Sequence, residues 1–80
     1  MSNLELEGAR SRLKGRRMEL AVAIGAKIKS VKGLLATSAI DPIEKIDIQS
    51  AARLLVEARD EKQEYLEILG KIRVIDEELG

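Results

Sequence analysis

The carboxylates, guanidiniums and ammoniums are the side chains here with the widest chemical reach, because the sequence contains no His and no Cys. Their absence removes the strongest zinc ligand sets, thiol–imidazole catalysis, the Ser-His-Asp triad and disulfide stapling. Among the carboxylates Asp60, Glu61, Glu64 and Glu67, positions 60, 64 and 67 share one helical face, as a hard-metal site requires. That face lies opposite the neighbouring apolar stripe, so a solvated surface accounts for it, and no Glu-x-x-His element exists for a carboxylate di-iron bundle. Gly8, Gly15, Gly25 and Gly33 have spacings unrelated to a phosphate-binding loop, and the Gly-Lys-Ser/Thr ending of such a loop is missing. One enzymatic option survives: a helical pocket in which cations alone hold an anionic substrate through a pericyclic or isomerising step, with Arg10, Arg17 and Lys62 as the groups involved. Ion pairing or snorkelling explains the same three residues without chemistry. The chain is therefore expected to be non-enzymatic, with no cofactor and no metal.

Arg10, Arg12, Lys14, Arg16 and Arg17 form a compact basic cluster, followed by Lys27, Lys29 and Lys32. Such a run can neutralise phosphates and give salt-dependent binding to DNA or RNA. Two features weigh against it. The cluster spreads around its helix, with Arg10, Lys14 and Arg17 on one side and Arg12 and Arg16 on another; and Tyr65 is the sole aromatic available to stack on a base. No compact helix-turn-helix spacing is present, and the basic half lacks the Trp and Phe anchors favoured by interfacial helices, so no membrane association is expected. The cluster also belongs to a larger asymmetry. Residues 1–40 carry eight Lys or Arg against three Glu, whereas residues 41–80 carry six against eleven Asp or Glu, and the total is zero. Pairing of a basic half with an acidic half is the simplest use of that division.

The elements that must position these groups are helical. Leu6, Leu13, Leu20, Ile24, Ile28, Val31 and Leu35 fall within about 80° of one another at 100° per residue, which predicts one helix over about residues 4–36. Its glycines loosen it or mark close approaches of another backbone. Asp41-Pro42-Ile43-Glu44 has the form of a helix start, with Asp41 as cap, Pro42 in the first turn and Glu44 completing a capping box. Asp47 offers a later cap, which would leave residues 42–46 as a separate turn. Ala51, Leu54, Leu55, Ala58, Tyr65, Leu66, Leu69 and Ile72 make a second, wider stripe and predict a helix over about 42–78. The aliphatic pattern drifts and does not repeat cleanly at seven, so a strict zipper is not expected. With a turn over about 37–41, residue 17 falls opposite about residue 61; Arg17 would then meet Glu61 or Glu57, and Glu19 would meet Lys62.

The expected fold is all-α: one domain over residues 1–80, an antiparallel two-helix hairpin. The second stripe is wider than one neighbour can cover, and Val22, Leu34, Ile68, Val74 and Ile75 lie at or beyond the stripe edges. Two hairpins docking into a four-helix bundle, as a homodimer, would cover them. The expected function is protein–protein interaction or assembly through Leu20, Ile24, Ile28, Leu54, Leu55, Leu66 and Leu69. The alternative is a small nucleic-acid-binding accessory or regulatory protein using Arg10, Arg12, Lys14, Arg16 and Arg17. Asp41-Pro42 between two long helices resembles, in outline, the hairpin subunits of bacterial secretion needles, and the basic first half resembles small accessory proteins of phages and mobile elements; neither resemblance assigns a residue role. No secretory segment or membrane span is evident, and a cytoplasmic location is expected.

Overall fold

The computed structural model describes residues 2–36 and 42–80. Two long helices, α1 (Asn3–Ala36) and α2 (Ile48–Leu79), lie side by side and antiparallel, with a single 3-10 turn, Ile43–Lys45, before the second. The described molecule measures 60 × 14 × 14 Å, a rod two helices thick.

Short-range hydrogen bonds explain the ends. Ser2 Oγ accepts from the Glu5 amide at 3.2 Å, and Ser2 O accepts from the Leu6 amide at 3.0 Å, so α1 starts from a serine cap. The start of α2 differs from the leading expectation. Asp41 lies outside the described residues; Pro42 has φ −57° and ψ 149°, which is extended, and Ile46 is extended as well. The helix begins instead at Ile48, because Asp47 accepts from both the Ser50 amide (2.9 Å) and the Ser50 hydroxyl (2.6 Å). Those two bonds hold the Asp47 carboxyl below the usual carboxylate range, the hydroxyl being the larger cause. Residues 42–46 are thus the separate turn that the later cap allows. At the other end the Gly80 amide donates to Asp76 O at 3.1 Å with φ +78°, the left-handed closure for which glycine is suited.

Starting α2 six residues later moves the register. Leu20 packs with Ile68 and Ile72, Arg10 meets Asp76, and Lys27 meets Glu61. Residue 17 therefore lies opposite about residue 70 rather than 61. The expected Arg17 contacts with Glu61 or Glu57 and the Glu19–Lys62 contact do not form.

Burial also corrects the reading of periodicity. On α1 the buried or half-buried positions include Leu6, Arg10, Leu13, Arg17, Leu20, Ile24, Lys27, Val31 and Leu34, spaced alternately by four and three. On α2 they include Ala51, Leu54, Ala58, Glu61, Tyr65, Ile68, Ile72, Ile75 and Leu79, spaced alternately by three and four. This is a seven-residue repeat on both helices. It is hidden in the aliphatic pattern because four of its eighteen members are charged. Ile68 and Ile75, placed at the stripe edge by sequence, belong to this seam, and Ile68 is only 4% exposed.

Candidate interaction surface

The seam fixes two flanks. Residues one position after Leu13, Leu20, Lys27 and Leu34 project to one side of α1, while those one position before Arg10, Arg17, Ile24 and Val31 project to the other. The same rule divides α2, and antiparallel packing joins like sides.

One flank is ionic. Arg16 reaches across to Glu64 with a forked contact, Nε to Oε2 at 2.6 Å and Nη2 to Oε1 at 3.1 Å, and its Nη1 also donates to Glu19 at 3.2 Å. These hydrogen bonds raise the Arg16 pKa above its ordinary value, with Glu64 the larger cause; the same bond from Arg16 lowers that of Glu64. Closer to the seam, Lys27 Nζ lies 2.7 Å from Glu61 Oε1, and both side chains are largely shielded from solvent. That oxygen makes no well-directed hydrogen bond, so the ammonium charge is what offsets its burial. From Arg16 to Gly33 on α1 and from Ser50 to Lys71 on α2 this flank carries Glu19, Glu57, Asp60, Glu64 and Glu67, interspersed with alanine, serine, glycine and cations. It has no large aliphatic side chain over that span.

The other flank is apolar. Ala21, Ile28 and Leu35 on α1 and Ile48, Leu55 and Leu69 on α2 flank the seam directly, with Met18, Ala52 and Leu66 one step further out. Ile48 is 60% exposed, Leu55 49% and Leu66 54%, and Ile28 and Leu35 are also exposed. Between the helices runs a groove of about 270 Å³ lined by Ala21, Ile24, Lys62, Tyr65 and Leu66. Exposed aliphatics in this number on one side of so slender a rod form the kind of surface that marks an interaction site.

The seam beneath explains why the aliphatics remain outside. Near the open end it is filled by Leu20, Ile68 and Ile72, with Leu13 and Tyr65 packed against them. Toward the turn α2 contributes Ala51 and Ala58, both buried, and the charged Glu61. Small seam residues bury little apolar area, so the turn-proximal half keeps its large side chains on the flank instead.

The residues singled out by sequence fall into separate places. Leu20 is a core residue of the single chain, 1% exposed; Leu54 is half-buried in the seam. Ile24, half-buried, and Leu66, exposed, line the apolar groove; Leu69 is half-buried and Ile28 and Leu55 are exposed on the same flank. In the basic cluster, Arg10 pairs with Asp76 at 2.9 Å and Arg16 with Glu64. Arg12 and Lys14 are exposed and Arg17 is half-buried, and none of the three has an ion-pair partner among the described residues. Sequence reasoning missed Lys27 and Glu64 as pairing residues and gave Glu61 a different partner, Arg17. For Lys27 and Glu61 the available signal was their seven-residue spacing from Leu20 and Ile68, which appears once charged residues are admitted to the repeat.

The glycines gain no role within the hairpin. A methyl group added at Gly15, Gly25, Gly33 or Gly70 meets nothing within 4 Å, so close helix packing in the single chain does not require them. Among the described residues no group of carboxylates is arranged to hold a metal ion, and no helix is long and apolar enough to cross a membrane. Comparison of the chain with family models, curated proteins and solved structures finds no match. Fold and surface define an elongated all-α two-helix module.

Proposed function

We propose that the chain is a non-enzymatic protein-interaction module that accepts helices along its apolar flank. The observation that carries this reading is the one-sided placement of Ile28, Leu35, Ile48, Leu55 and Leu66, all exposed, opposite a flank closed by Arg16–Glu64 and Lys27–Glu61 pairs. Hydrophobic seam residues extended by an apolar flank make the wide stripe of a helix that has more than one neighbour. Helices from a second copy would give a homodimeric four-helix bundle of coiled-coil character; helices from another chain would occupy the same surface.

The nucleic-acid reading has less support. Arg10 and Arg16, two of the five clustered cations, already engage carboxylates of their own chain, and of the other three Lys14 and Arg17 share one side of α1 while Arg12 lies on another.

The test is the absolute mass in solution of the native chain and of Leu55→Glu/Leu66→Glu, with helicity recorded for both. A native dimer near twice 8.8 kDa that becomes a helical monomer in the double variant supports flank docking between copies. A native monomer rejects the homodimer and leaves a helix of another chain as the occupant of the flank. A dimer indifferent to both substitutions overturns the proposed surface.

A further inference from the structure

The apolar flank has a charge signature as well as an oily one. From Lys14 to Leu35 on α1 and from Ile48 to Arg73 on α2, its charged positions are Lys14, Lys32, Arg59, Lys62 and Arg73, and no Asp or Glu stands among them. Arg17, in the seam beneath, adds another cation on the same side. Arg59 leans on its neighbour Asp60 at 3.2 Å; the remaining five have no ion-pair partner among the described residues. The opposite flank has the reverse balance of charge. There, over the same levels, carboxylates outnumber cations and the two cross-helix pairs are made.

Resting on the interaction reading above, we infer that the occupant of this flank is an acidic amphipathic helix of another protein, seated over the Ala21–Ile24–Tyr65–Leu66 groove with its carboxylates beside Lys62 and the neighbouring cations. A second copy is a poor occupant. Related by a two-fold axis, it presents the same flank and hence the same cations, so Lys62 of each copy enters a shared apolar contact without a carboxylate from either. An acidic helix removes that penalty, because every charge at its edge meets one of opposite sign. The dimensions agree. Between the levels of Ala21 and Leu35 the flank is about 21 Å long at 1.5 Å per residue, room for nearly four turns of a docked helix with anchors at helical spacing. The recess between two helices also suits a helix better than a lipid surface, which needs no groove.

The experiment uses the full chain and two synthetic 21-residue amphipathic helices with the same leucine face, one carrying Glu and the other Lys at the remaining positions. Tyr65 lines the groove and is the chain's sole aromatic, so its ring resonances report occupancy at the site. The expected result is saturable binding of the Glu helix with shifted Tyr65 signals, and binding of the Lys helix weaker by about tenfold or more. Charge reversal by Arg59→Glu/Lys62→Glu is expected to invert that preference, and Leu66→Asp to abolish binding of either helix while helicity is retained. Equal affinity for the two helices, or a preference unchanged by charge reversal, overturns the acidic partner. So does a stable dimer that excludes both peptides, or binding to phosphatidylserine vesicles without binding to the Glu helix. A dimer, or unselective helix binding, lost in Leu66→Asp leaves the interaction reading standing. A monomer that binds neither helix removes both.

Discussion

The two flanks of this hairpin are built on the same backbone and the same seven-residue seam, yet they are finished in opposite ways. On one, Arg16 and Glu64 bridge the helices and Lys27 and Glu61 close over the seam, so charge is satisfied within the chain. On the other, Ile28, Leu55 and Leu66 face water beside Lys62, which has no partner of its own among the described residues. Over the span those pairs cover, the ionic flank has little to offer another molecule; beyond it, Val74 stands 53% exposed beside Glu67 and Lys71. A flank that leaves both apolar area and charge uncompensated has free energy to release on binding.

The largest expected effect separates seam from flank. Leu20→Ala removes a side chain 1% exposed at the centre of the core cluster and should destabilise the hairpin by about 2–5 kcal/mol. Leu66→Ala, at a position 54% exposed, should change the stability of the isolated chain by no more than about 0.5 kcal/mol while weakening docking. Denaturant midpoints of the two variants, measured at a concentration where the chain is monomeric, decide the matter; similar losses would erase the distinction between core and docking surface.

Next comes the shielded pair. Lys27→Leu alone strands the Glu61 carboxylate beside an apolar neighbour and should lower the thermal midpoint, whereas Lys27→Leu/Glu61→Leu should recover it or exceed the native value. A double variant less stable than the single one would show that the pair contributes net stability rather than alignment.

Acid should act on the ionic flank and the α2 cap. The Glu64 and Asp47 carboxyls are both held below their ordinary values, the first chiefly by Arg16 and the second by Ser50. Groups with depressed folded-state values stabilise fully above their unfolded values, about 4.3 for Glu and 3.9 for Asp, and lose that contribution as pH falls through the folded ones. Helicity of the native chain should therefore hold down to about pH 4 and decline below it, with a shallower acid dependence in Glu64→Gln. An identical acid profile in the native chain and in Glu64→Gln would remove Glu64 from the account.

The smallest effect probes α1 away from the apolar flank. Gly15→Ala and Gly33→Ala add a methyl group that meets nothing and should each stabilise the hairpin by up to about 1 kcal/mol through helix propensity. If either substitution instead reduces assembly or partner binding, α1 has a further neighbour at that position.

Much of the fold was legible from the sequence. The span of α1, the all-α character and the pairing of a basic helix with an acidic one follow from period and charge, since both are local properties. The start of α2 was legible only as a choice between Asp41 and Asp47, because two helix-start patterns stand six residues apart and caps compete on small energies. Among the candidate contact residues, the sequence does not separate those within the hairpin from those outside it, whereas the structure buries Leu20 and exposes Leu55 and Leu66. The apolar stripe, averaged over aliphatics alone, points between the seam and the flank, because Arg10, Arg17, Lys27 and Glu61 occupy seam positions that hydrophobicity discounts.

By itself, then, the sequence determined two long helices, their antiparallel return and the sign of each half, all of which depend on neighbours within a turn or two along the chain. Tertiary structure alone decided the register, the seam and the difference between the flanks. Those depend on which residues stand opposite one another across the hairpin, and the opposition is set by the Asp47 cap together with the docking of Leu20 against Ile68 and Ile72.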